Sequence, residues 1–138
     1  MERTLAIIKP DGVQRGLIGQ IISRIENKGI RIAGMKMMLV TRALAEEHYS
    51  EHKGKHFYEP LVKFITSGPV VAICIEGIDV CAVFRRLIGN TNCRESMPGT
   101  IRGDLGSSAR FNLIHASDCA ENAKKEIKLF FDDSEIMD

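Results

Sequence analysis

The chain has 138 residues, 44% of them hydrophobic and 27% charged, enough for one domain with a proper core. Its formal net charge is +1, so bulk electrostatics makes no strong case for nucleic acid or an anionic membrane, and no apolar run approaches the length of a membrane span. The amino terminus lacks the regions of a signal peptide. Cys74, Cys81, Cys93 and Cys119 show no C-x-x-C spacing, which predicts reduced thiols in a cytoplasmic protein rather than a disulfide or zinc framework.

In chain order, residues 3–9 form an apolar run closed by Pro10, which predicts a buried strand with Lys9 at its carboxyl end. Residues 16–28 carry Ile18, Ile21, Ile22 and Ile25 at helical spacing, with Gly29 as the stop. Residues 30–40 predict a second strand, whose methionines serve the core or a subunit interface. Thr41 is a cap candidate for a helix over 42–51. A polar turn over 54–60 carries Phe57 and Tyr58, and residues 61–66 predict another short helix. Val70 to Ile75, apolar and β-branched, predict the central strand. A helix over 78–88 holds Arg85 and Arg86, and 89–110 is a long irregular segment of the kind that is usually functional or disordered. Residues 111–115 give the last strand, Ser117-Asp118 a helix start, 118–131 the last helix, and 132–138 an acidic tail. The order is βαββαβ with additions. It predicts an α+β, ferredoxin-like fold: a four-stranded antiparallel sheet covered by helices on one face, with a long loop before the last strand, in a single domain over 1–138.

Chemistry concentrates in Asn112-Leu113-Ile114-His115-Ala116-Ser117-Asp118. The pattern puts His115 where a strand ends and a helix begins, and strand ends are common sites of chemistry. A neutral imidazole there can attack an electrophile, and a helix amino terminus favours incoming negative charge. Upstream, Arg102 sits in a glycine-bounded stretch. Taken singly these residues are ordinary: His115 reads as a histidine beside a helix cap, Lys9 as a turn lysine, and Phe57 equally as a platform or as a loop aromatic folded on the core. Their company is what points to phosphate.

The motifs Ile8-Lys9-Pro10-Asp11-Gly12-Val13-Gln14-Arg15-Gly16, Ser67-Gly68-Pro69-Val70-Val71, Pro98-Gly99-Thr100-Ile101-Arg102-Gly103-Asp104 and Asn112-x-x-His115-x-Ser117-Asp118, in this order, resemble those of nucleoside diphosphate kinases. The resemblance runs from Arg3 to about Phe131. It implies a ping-pong reaction in which His115 takes the γ-phosphoryl group of a nucleoside triphosphate on Nδ1 as a pros-phosphohistidine and gives it to a nucleoside diphosphate, with little base preference. It further implies that a backbone carbonyl holds the other ring nitrogen, that Glu126, a little over two helical turns past Asp118, orients the ring, and that Ser117 belongs with the catalytic group. Lys9, Arg85, Arg102 and Thr91 are then phosphate and ribose contacts, with His52 a further donor and Tyr49 reaching Lys9 or the catalytic pocket. Asn112 joins Lys9 on the ribose hydroxyls, and the base stacks on Phe57, which tolerates any base. Mg²⁺ is expected on the substrate phosphates, since no carboxylate cluster offers an all-protein cage. The partners implied are nucleoside di- and triphosphates such as ATP and GTP, and further copies of the chain in a hexamer or tetramer.

The sequence departs from the family in three places. Cys93 replaces a usual proline, Lys55-His56-Phe57-Tyr58 replaces arginine-proline-phenylalanine-phenylalanine, and Ala116 replaces a common glycine. None removes a functional side chain. A non-catalytic ferredoxin-like regulatory module would explain the fold, but it leaves the joint presence of His115, Lys9, Arg85, Arg102, Asn112 and Thr91 without a reason. A different histidine-dependent phosphotransferase is chemically close but has no matching pattern.

Overall fold

The computed structural model describes residues 1–138. Its centre is one antiparallel sheet in the order β2-β3-β1-β4, formed by β1 (Glu2–Ile8), β2 (Arg31–Met38), β3 (Val70–Gly77) and β4 (Ile114–Ala116). This is the ferredoxin-like arrangement that the element order predicts. β1 and β3 lie inside the sheet, and their unbroken apolar runs follow from burial on both faces.

That double burial corrects one expectation. Helices cover both faces of the sheet. Ala6 and Ile8 point to one face, where α2 (Ile18–Asn27) and α5 (Val80–Ile88) supply Ile21, Ile25, Phe84 and Ile88. Leu5 and Ile7 point to the other, where α3 (Arg42–His48), α4 (Tyr58–Ile65) and α7 (Ala120–Phe130) supply Ala45, Val62, Ile65, Ile127 and Phe130. The additions inserted between β2 and β3, together with α7 after β4, make the second layer.

Several boundaries also differ. Pro10 opens a short helix, α1 (Pro10–Gln14), as its preset φ suits a first helical position. α4 begins at Tyr58, which is buried in the second layer rather than held in a turn. The long segment before the last strand contains a 3₁₀ turn, Cys93–Glu95, and a helix, α6 (Ile101–Leu105), which Thr100 caps by accepting from Gly103 N. Thr41 caps α3 as expected, accepting from Leu44 N at 3.1 Å. The acidic tail lies on β2: Met137 N donates to Ala33 O at 2.7 Å, and Lys36 pairs with Glu135 at 2.9 Å.

Candidate active site

β4 is only three residues long, and His115 is its middle residue, paired with Ile7 of β1. The sheet is antiparallel, so the expected strand-end position gives way to a mid-strand one. Partners across an antiparallel pair share a face. The ring therefore points into the layer of α3 and α7. α7 starts later than expected, at Ala120, and Cys119 makes no side-chain cap. Ser117 and Asp118 have other work: Ser117 Oγ donates to Glu126 Oε1 at 2.8 Å, and Asp118 accepts from Asn122 at 2.6 Å.

His115 Nε2 meets the same Glu126 Oε1 at 2.7 Å. This replaces the expected backbone carbonyl on that nitrogen. Burial works to raise the Glu126 carboxyl, but the hydrogen bond and charge of His115, with help from His48 and Ser117, leave it below the ordinary carboxylate range. An anionic acceptor keeps the proton on Nε2, so Nδ1 of a neutral ring holds the free lone pair.

A cavity of about 300 Å³ opens beside this pair, lined by His48, Tyr49, His52, His115, Asp118 and Glu126 among others. His48 went unremarked in the sequence, where it reads as one polar residue on a helix. Its ring lies edge-on to His115 with centroids 4.7 Å apart, and to Phe130 at 5.3 Å. Burial, with the nearby His115, pushes it down to about 3, so it stays neutral. Both its ring nitrogens are buried without a partner. Tyr49 lines the cavity, where burial pushes its phenol up, but its expected partner Lys9 is engaged elsewhere. His52 packs edge-on to Phe57 at 5.1 Å, and Lys55 Nζ lies 5.6 Å from the centre of the Phe57 ring.

A second, cationic group is built around the backbone that carries His115. Lys9 Nζ donates to Asn112 Oδ1 at 2.8 Å, and Asn112 Nδ2 donates to Thr91 O at 3.1 Å. Lys9 is buried, and desolvation together with the charge of Arg102 pushes it down to about 8. Arg102 is buried as well. Its guanidinium donates to the carbonyls of Gly89, Asn112 and Ile114, and burial with the charge of Arg85 takes it down to about 10. Arg85 is exposed and donates to Ala116 O at 3.3 Å. The two arginines thus hold the carbonyls on either side of His115. The Thr91 side chain is exposed.

One further group of close partners is His48, His115 and Glu126, whose ligand atoms lie within 4.8 Å of one another. Glu126 of this group is already held by His115 and Ser117. No helix is long and apolar enough to cross a membrane.

Comparison with known proteins agrees with this geometry. The family model for nucleoside diphosphate kinase matches residues 2–136. The chain is 57% identical over 136 residues to a nucleoside diphosphate kinase of Saccharolobus islandicus, covering 99% of both chains. It is 57% identical over 138 residues to one from Staphylococcus epidermidis, covering all of this chain and 93% of that one. Among solved structures it is similar to a halophilic nucleoside diphosphate kinase from Halobacterium salinarum in complex with CDP, with a TM-score of 0.96, 51% identity, and 99% and 91% of the two chains covered. The family model spans nearly the whole chain and the relatives match at full length, so the chain belongs to the nucleoside diphosphate kinase family.

Proposed function

We propose that His115 carries the phosphoryl group. Nδ1 attacks the γ-phosphorus of a nucleoside triphosphate, the Nδ1–P bond forms, and the bridging P–O bond breaks with its electron pair leaving on the nucleoside diphosphate. A second nucleoside diphosphate then attacks the phosphohistidine in reverse. The observation that carries this reading is the 2.7 Å bond from His115 Nε2 to Glu126, itself fixed by Ser117. It sets the tautomer and aims the ring.

Lys9 and Arg102 support the other half. Buried cations without a paired carboxylate are costly, and an incoming phosphate would relieve them. Arg85 and Thr91 can reach the phosphates from the surface, while Asn112 and Lys9, already bonded to each other, can take ribose hydroxyls. Half-exposed Phe57 is the platform for the base, with His52 and Tyr49 completing the wall toward His115.

Phosphotransferases of this family generally need a divalent metal. Mg²⁺ fits here as an ion carried by the nucleotide. Of the carboxylates that line the cavity with His115, Glu126 and Asp118 are both engaged by protein partners. Bound Mg²⁺ would offset charge on the β- and γ-oxygens.

The chain works as one domain, in the cytoplasm, as a homo-oligomer, hexamer or tetramer. Four free cysteines fit that compartment. The support for assembly is β2, an edge strand on which Met35 is 51% and Met37 60% exposed, followed by Leu39 at 69%.

Incubation with γ-labelled ATP tests the reading. The expected result is an acid-labile, base-stable phosphoenzyme that vanishes in His115→Ala together with γ-phosphoryl exchange. Label retained by that variant overturns the assignment.

A further inference from the structure

Leu113 has φ +71°, a conformation that a branched, non-glycine residue adopts only under constraint. Ile114 N donates to Asn112 O at 2.8 Å across it, so residues 112–114 form a γ-turn of the rare, positive-φ kind. Leu113 is wholly buried. The turn stands between Asn112 and His115 and sets the angle between them.

Four groups hold it. Leu113 N donates to Asp11 Oδ2 at 3.1 Å, and Leu113 O accepts from Lys9 N at 2.8 Å. Arg102 donates to Asn112 O and Ile114 O on either side. Gly12 completes the fit: a Cβ there would lie 3.2 Å from Leu113 O and 2.8 Å from Ile8 Cγ2. The Asp11 carboxylate is an expensive choice for a structural acceptor, because it is buried and its Oδ1 has no partner. Asp11 touches neither His115 nor Asn112 through a side-chain hydrogen bond. Its link to both is the backbone of Leu113.

We propose that Asp11 is a positioning residue for phosphoryl transfer: its Oδ2 pins the strained turn at Leu113, and the turn fixes the His115 ring against the Lys9–Asn112 pair. This rests on the reading of His115 as nucleophile.

The test compares Asp11→Ala, Asp11→Asn and Asp11→Glu. Each rate is counted per His115 that takes label from γ-labelled ATP, so an unfolded fraction does not enter. Asparagine keeps an acceptor in place and loses the charge. Glutamate keeps the charge and moves the acceptor by one methylene. Asp11→Ala and Asp11→Glu should each lose about tenfold or more in kcat/KM, and Asp11→Asn should stay within about threefold of wild type. A fast Asp11→Ala overturns the proposal. So does a slow Asp11→Asn beside a fast Asp11→Glu, which would make Asp11 a charge partner of Lys9 rather than a backbone pin. If Asp11→Ala does not fold, the Asn and Glu pair decides alone. Failure of the His115 reading shows separately, as label persisting in His115→Ala.

Discussion

The group bonded to the His115 ring and the group bonded around the backbone beside it are built on opposite principles. At the ring, Glu126 takes both His115 and Ser117, while the neutral His48 and Nδ1 of His52 are buried without a partner. In the second group Lys9 and Arg102 are buried among carbonyl and amide oxygens, with no carboxylate bonded to either. A satisfied carboxylate gives a fixed ring. A group with surplus positive charge gives a preformed place for anionic oxygens, where the dielectric is low and such charge acts strongly.

The contrast can be broken most severely at Arg102. Three carbonyls each lose a donor in Arg102→Ala, which should cost about 3 kcal/mol of stability as well as most of the activity. Lysine keeps the charge but cannot serve Gly89, Asn112 and Ile114 together. In kcat/KM, Arg102→Lys should therefore fall nearer to alanine than to wild type. A near wild-type value would reduce Arg102 to a point charge.

Next is Phe57, half-exposed beside His52. Phe57→Ala should weaken every nucleotide by a similar amount, about 1–3 kcal/mol. Titrations with two purine and two pyrimidine nucleotides check it, and a loss confined to one base would mean edge recognition instead of stacking.

The charge of Lys9 can be tuned by pH. Its folded value of about 8 lies below its ordinary 10.5, so below pH 8 the folded state carries a buried cation at a cost. Between 8 and 10.5 the unfolded chain binds more protons than the folded one, and the Lys9 contribution to stability rises with pH. Catalysis should move the other way, with kcat/KM falling as pH climbs through about 8. Asn112 accepts from Lys9, so Lys9→Arg should keep its charge and carry the falling limb upward; a limb unmoved in that variant assigns it to another group.

The smallest effect is expected at Cys93, which opens a 3₁₀ turn. The preceding Asn92 has φ −85° and ψ 113°, the extended conformation that a following proline demands. Cys93→Pro should raise stability by roughly 0.4–1 kcal/mol, read as a higher thermal midpoint at matched protein concentration.

The sequence made His115 and several residues the structure bonds around it legible, because phosphate chemistry needs residue types that seldom gather by chance. Glu126 could be placed by helical spacing, yet its partner atom could not, since two turns of helix fix a face and not an angle. The second helical layer was hidden for a different reason. The alternation of Leu5 and Ile7 with Ala6 and Ile8 is apolar on both parities, which says buried without saying by what. The turn at Leu113 left no trace, as positive φ is usually announced by glycine or asparagine. His48 looked like a solvated helix residue because its burial comes from α7 and Phe130, far along the chain.

The distribution of the four thiols has a practical consequence. Cys74, Cys81 and Cys93 are buried, and only Cys119 faces solvent, at the residue that opens α7 and four positions beyond His115. A thiol-reactive fluorophore added to the unaltered chain is therefore directed to one place, the residue before α7. The protein comes with its own attachment point for a single optical label.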